Sequence, residues 1–225
     1  MRAVQTAAVP PQPPRPEREL DRKQVRALAH DASCADVEIV SAALADQHAA
    51  GVTLASASVR EPDLSGSRLE ALHVVDTALA GCDLANVHSS RARLTRVSVE
   101  ASRMTGVRLA RAALQDVVVR ECRVDLASFA GARLTRVSFE DCVLAHSDFL
   151  DAELESVRFH RCELSGADFR GARMRRCELR RNDMREVRGI ASLTGAAFEW
   201  GDLVALAGAL AGALGIGVLD DEPEA

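Results

Sequence analysis

Tyrosine is absent from this 225-residue chain, tryptophan occurs once, at Trp200, and phenylalanine six times. So little aromatic surface leaves no row of platforms on which the bases of a single strand could stack, and nucleic acid is not the expected partner. No glycine-rich stretch has the form of a phosphate-cradling loop. Neither His146 nor His160 is tied to a candidate nucleophile by a recognised spacing, so both read as solvated surface residues and no catalysis is expected. The apolar stretch before Pro10 is too short for a secretory signal. A strong net charge is also missing, since 28 basic and 33 acidic residues leave −5.

What the chain has instead is a period. Residues 139–169 read FEDCVLAHSDFLDAELESVRFHRCELSGADF, with Phe139, Leu144, Phe149, Leu154, Phe159, Leu164 and Phe169 five apart. On an α-helix a step of five turns the side chain through about 140°, and on a strand an odd step alternates faces. Neither element could bury the set on one side, whereas a chain that turns a corner every five residues could. Stepping by five from Ile39 to Met184 gives thirty positions without an insertion, and only Ala49 and Ser89 are not Leu, Ile, Val, Met or Phe. Two residues before each centre the residue is small, as at Ala92, Val97, Ser102 and Val107. A period of twenty overlies the first: Ala92, Ala112, Ala132, Ala152 and Ala172 form one series, and Cys122, Cys142 and Cys162 another. Four sides of five residues make a square coil, in which identical residues stack at about 4.8 Å per layer.

The units CDLAN, ADFRG and CELSG resemble those of the pentapeptide-repeat family, whose pattern is A(D/N)LXX. The resemblance runs from about Val37 to Val187 and departs from the pattern mainly where Arg precedes the centre, at Arg93, Arg103, Arg133 and Arg173. It implies an all-β solenoid, a right-handed quadrilateral β-helix of about seven coils. Five of the six cysteines, all but Cys34, fall in its inward small column and read as free, buried hydrophobes. A straight ladder without inward histidine offers no four convergent ligands, so neither metal nor cofactor is expected. A reduced, cytoplasmic setting follows.

The expected organisation is a disordered Pro-rich tail over 1–16, a short amphipathic helix within 17–36, the β-helix over 37–188, a cap over 189–219 and an acidic tail over 220–225. A ligand role for the PxxP spacing of the first segment is the lesser reading there. In the cap, GDLVALAGALAGALG reads as one helix with Asp202 as N-cap, followed by a strand at Ile216, Val218 and Leu219. Leu203 to Leu219 carries no charge but is short for a membrane span and lacks basic or aromatic flanks, so a cap is expected and no membrane. Leu203, Leu206, Leu210 and Leu214, with Gly208 and Gly212 in a GxxxG arrangement, form the candidate cap and homodimer helix.

Function then falls to the outer surface. Glu140, Asp141, Asp148, Asp151, Glu153 and Glu155 form a candidate acidic strip, with no Arg or Lys between 140 and 155. Arg170, Arg173, Arg175, Arg176, Arg180, Arg181 and Arg185 form a candidate basic patch. The favoured reading is a non-enzymatic scaffold that binds protein partners through its charged faces. The resemblance implies an alternative, a mimic of duplex DNA that binds DNA gyrase; the even balance of charge over residues 37–188 suits it poorly, since a groove built for phosphate favours an anionic guest. Nucleic-acid binding through the Arg-rich C-terminal coils is the third reading.

Overall fold

Leu94 pairs with Leu114 and Leu114 with Leu134, Val99 pairs with Val119 and Val119 with Phe139, all in parallel and all twenty residues apart. The same offset recurs on the remaining sides as single bridges, such as Arg103↔Arg123 and Arg108↔Ser128. The computed structural model describes residues 7–15 and 20–217, and its centre is a four-sided parallel β-solenoid of about nine turns. The first side is centred on Leu94, Leu114, Leu134 and Leu154, the second on Val99, Val119, Phe139 and Phe159. The third is centred on Met104, Val124, Leu144 and Leu164, and the fourth on Leu109, Phe129, Phe149 and Phe169. The first two sides share continuous eight-residue strands, Arg93–Glu100, Ala113–Arg120 and Arg133–Glu140 among them.

The corners are made by backbone in the left-handed region. Gly106 and Gly131 turn at φ +68° and +61°, but most corners carry a side chain, such as Leu126 at φ +57°. Left-handed backbone costs an ordinary residue about 1–2 kcal/mol. The ladder bonds that follow each corner, such as Leu144 N–H to Glu163 O at 2.7 Å, help hold it there.

Within the rod the centres stack. Phe129, Phe149 and Phe169 lie face to face at 5.0 and 4.9 Å between ring centroids, and Phe139 and Phe159 at 5.2 Å. The N-terminal half has no such rings, and Ser89 stands where a large residue belongs. A cavity of about 130 Å³ remains there, lined by Leu69, Leu79, Ser89, Leu94, Val99 and Leu109 among others. Leu109→Phe would carry the Phe129 column one layer into this void. It is expected to stabilise the chain by about 1 kcal/mol, read as a higher denaturant midpoint at unchanged slope; a lower midpoint would mean the cavity cannot take the ring.

All six cysteines are free. Cys122, Cys142 and Cys162 each direct the thiol to backbone carbonyls, at 3.1 Å for Cys122 Sγ to Arg120 O. Burial pushes Cys82 up to about 11 and Cys122 up to about 12. Because the other five thiols are buried and Cys34 is partly exposed, a thiol reagent at pH 8 should modify Cys34 and leave those five until the rod unfolds. Rapid loss of two or more thiols from the native chain would contradict this.

Both ends differ from expectation. The rod begins a coil earlier than residue 37: Asp21–Arg22 pairs with Val37 and Glu38, and Ser33–Ala35 with Thr53–Ala55. The amphipathic helix expected within 17–36 is not formed among its described residues. A helix could not satisfy the edge amides and carbonyls of the coil at Val37, whereas an added strand does, with Lys23 N–H to Glu38 O at 2.8 Å. Cys34 thereby occupies a centre position opposite Leu54, and Val25 and Leu28 pack beneath the first coils. At the other end Ala196–Phe198 adds a last strand against Cys177–Leu179. This strand is not expected from the sequence; of the strand expected after the helix, Ile216 is in no strand, and Val218, Leu219 and the tail 220–225 lie outside the described residues.

The cap is two short helices, α1 (Trp200–Ala205) and α2 (Ala207–Ala213), broken at Leu206. Glu199 rather than Asp202 is the N-cap; Asp202 instead accepts the Arg181 amide at 2.8 Å and so ties α1 to the final coil. Leu206 is buried and Leu210 packs on the core, but Leu214 is 76% exposed. A side chain at Gly208 or Gly212 would meet nothing within 4 Å. Neither helix is long and apolar enough to cross a membrane. The Pro-rich tail is not free along its described length: residues 7–15 lie on the rod, hydrogen-bonded to Glu178, Asp116 and Asp76.

Candidate protein-interaction surface

On each side the residues flanking a centre point outward, and the layer spacing sets each beside its counterpart twenty residues away. Opposite charges in adjacent layers therefore pair along the rod. Arg136 holds Asp116 through two 2.6 Å bonds, Arg96 holds Asp76 likewise, and Arg161 clasps Asp141. Such contacts keep neighbouring strands in register, each exposed pair contributing a few tenths of a kcal/mol.

The expected acidic strip is not one surface. Glu140 lies on the second side, Asp141 at the next corner, Asp148 on the fourth side, Asp151 at the corner after it, and Glu153 and Glu155 on the first side, so the six wind around the rod. Four are also neutralised: Glu140 by Arg120, Asp141 by Arg161, Glu153 by Arg133 and Arg173, and Glu155 by Arg175 and Arg176. The guanidinium groups hold the carboxyls of Asp141 and Glu155 below the usual carboxylate range.

The expected basic patch is dispersed in the same way. Arg170 pairs with Asp168, Arg173 with Glu153, Arg175 and Arg176 with Glu155, Arg180 with Glu178, Arg181 with Glu199, and Arg185 with Asp183. From Arg120 to Arg188 every arginine has a carboxylate partner. A density of Arg in the sequence is thus not a density of free charge.

Arginines without an ion pair among the described residues lie toward the N-terminal end, at Arg22, Arg26 and Arg60 singly and on one edge of the rod as a group. On the fourth side Arg68, His88 and Arg108 occupy successive layers of one outward column. Beside them Arg91 and Arg111 stack at the corner between the fourth and first sides, and Arg93 sits on the first side. Among the described residues none of these five arginines makes an ion pair, and like charges in adjacent strands disfavour one another. Burial and the two flanking arginines hold the His88 imidazole below its ordinary pKa, which keeps three full charges from stacking. Farther along the same side stand Asp148 and, at the corner, Asp151, the two members of the acidic strip without an ion pair. One edge of the rod therefore carries free positive charge toward its N-terminal end and free negative charge two layers beyond. The spacing-of-twenty column Arg68, His88, Arg108 was the sequence signal for this surface. Among the described residues no cluster of metal-ligating side chains occurs.

A family profile described as a pentapeptide repeat region matches residues 72–149 and 121–188, more than half the chain. The chain belongs to the pentapeptide repeat family. Among solved structures, this pentapeptide repeat protein is similar to HetL, a pentapeptide repeat protein involved in heterocyst differentiation regulation from the cyanobacterium Nostoc sp. strain PCC 7120. The two are 18% identical with a TM-score of 0.52, over 82% of this chain and 93% of that one. It is also similar to full-length QnrB1, a plasmid-mediated fluoroquinolone resistance protein, at 14% identity and a TM-score of 0.42, over 84% and 99% of the two chains. At these identities the first likeness shows the fold alone, and the second is too distant to bear on function. No curated protein matches the chain.

Proposed function

We propose that this pentapeptide repeat protein is a non-enzymatic scaffold that docks a protein partner along the edge between its fourth and first sides. The observation that carries the reading is the contrast in pairing: five adjacent arginines, Arg68, Arg91, Arg93, Arg108 and Arg111, lack a carboxylate among the described residues, while every arginine from Arg120 onward has one. An acidic protein surface would supply the missing partners. Rim charges of this kind set association rate and orientation more than raw affinity.

The test compares what the immobilised chain captures with what two charge-reversed variants capture. Arg68→Glu/Arg108→Glu should lose the partner, and Arg175→Glu/Arg176→Glu, whose arginines are already paired, should keep it. Equal capture by all three would sink the reading. A pH dependence is also expected. An anionic partner raises the depressed His88 pKa, so binding takes up a proton and affinity should rise as the pH falls from about 7.5 toward 5.5; titration calorimetry in two buffers of different ionisation heat would read the proton uptake directly.

The gyrase reading has less to stand on, because the acids it needs are wound around the rod and mostly neutralised. A tenfold molar excess of the chain should leave gyrase supercoiling unchanged. Inhibition that disappears in Asp148→Lys/Asp151→Lys would instead put that reading first.

A further inference from the structure

The segment AAVPPQPPR, residues 7–15, lies along the corner between the first and second sides, away from the arginine-rich edge. Its prolines fix φ near −65° and push the preceding residues to extended backbone, so a polyproline II helix with three residues per turn is its natural form. The burial pattern has that period: Ala8 is buried, Pro11 and Pro14 are half-buried, and the residues between them are exposed.

Four residues of the segment after Ala7 keep a backbone N–H, at 8, 9, 12 and 15, and three of these donate to carboxylates of the rod. Ala8 N–H donates to Glu178 Oε1 at 2.7 Å, Gln12 N–H to Asp116 Oδ1 at 3.1 Å, and Arg15 N–H, more weakly, to Asp76 Oδ1 at 3.4 Å. Arg158 donates to the Ala8 carbonyl. The receiving carboxylates are held by the rod itself, Asp76 and Asp116 each by a bidentate arginine, and with the segment seated Asp116 is 2% exposed and Glu178 9%.

The two repeats are commensurate. From Gln12 to Arg15 is three residues, about 9.3 Å of polyproline II; from Asp116 to Asp76 is two layers, about 9.6 Å. The corner column reads Asp76, Arg96, Asp116, Arg136, and its alternation sets a carboxylate on every second layer, where every third amide of such a peptide falls. The next member of the column, Ser156, is 1% exposed and its hydroxyl has no partner among the described residues.

We propose that this corner is a binding groove for extended, proline-interrupted peptide segments, occupied in cis by residues 7–15, and that a partner segment of the same chemistry docks there in trans by displacing them. Specificity comes from carboxylates reading the free amides between prolines. The aromatic slots that usually grip polyproline are not needed. The cis segment adds no residue to the three apolar clusters of the rod, so its release leaves the core whole.

The probe is a fluorescein-labelled peptide of residues 7–15, followed by anisotropy. A chain beginning at residue 16, and the full chain carrying Ala8→Glu, which sets a carboxylate against Glu178, should both bind it saturably. The unaltered chain should bind at least tenfold more weakly, because its own segment competes at high effective concentration. A peptide with Gln12→Pro keeps the polyproline shape and loses the one amide that Asp116 reads, and should bind about tenfold more weakly than the parent. Absence of saturable binding by either released chain, while its melting stays cooperative, overturns the groove. So does equal binding of the parent, the Gln12→Pro peptide and a scrambled sequence. Equal affinity of the unaltered and released chains overturns the occupancy in cis.

Discussion

Phe149→Ala is expected to lower the unfolding free energy by about 3–5 kcal/mol, at the upper end of what such truncations cost. The ring is fully buried, lies 5.0 Å from Phe129 and 4.9 Å from Phe169 with near-parallel planes, and meets Phe139 and Phe159 edge-on. Removing it loses contact with four other rings at once. In most cores the surroundings partly collapse into the gap, and the cost falls. Here the walls are four ladders whose layer spacing is fixed by backbone hydrogen bonds, so the void stays open. Phe149→Leu keeps most of the volume and should cost about 1 kcal/mol. Denaturant unfolding of the three chains reads the differences; a cost below about 1 kcal/mol for the alanine variant would show that the layers can close after all. A repeat rod also need not unfold as one unit. A second transition in Phe149→Ala would mark separation of the cavity-bearing N-terminal half from the Phe-filled half.

The second large effect is electrostatic. Arg136→Met should destabilise the chain by about 2–3 kcal/mol at pH 7, because it strands the buried Asp116 carboxylate without its bidentate partner. Arg136 is partly exposed, which keeps the cost below that of a fully buried pair. Asp116→Asn/Arg136→Met should recover much of the loss, since no uncompensated charge remains. The pH dependence has a definite sign. Hydrogen bonding from Arg136 holds the folded-state pKa of Asp116 down, against burial. Its contribution is therefore complete above the ordinary Asp pKa of about 3.9 and fades as the pH drops below it through the depressed value. In Arg136→Met that depression is gone, so the deficit relative to the parent should shrink as acid protonates Asp116. A deficit that is flat between pH 7 and 3 would exclude the charge as its cause. Asp76, held down by Arg96, behaves alike, so the segment 7–15 should loosen in the same acid window, read as lower protection of the Gln12 amide relative to its intrinsic exchange rate at each pH.

Much of the architecture was legible because its signal is redundant. Thirty centres, the small residues two before each and the period of twenty all describe one square coil, and side chains that stack on copies of themselves leave their register in the chain. The ends were not legible in the same way. Leu20, Val25 and Leu28 satisfy a helical spacing, yet the open edge at Val37 needs amides and carbonyls more than it needs apolar cover, and a strand supplies them. Counting arginines along residues 170–188 likewise gave no view of free charge, since pairing runs across layers and not along the chain.

The five-residue side, the four-sided layer and the choice of inward residues follow from the chain alone, because each depends on intervals along it. Which charges remain free, the extra coil at the start of the rod and the seat of the proline-rich segment emerge in the folded chain and not before. Those outcomes depend on contacts between layers and across corners, from Gln12 to Asp116 or Ala8 to Glu178, where no local spacing records the match.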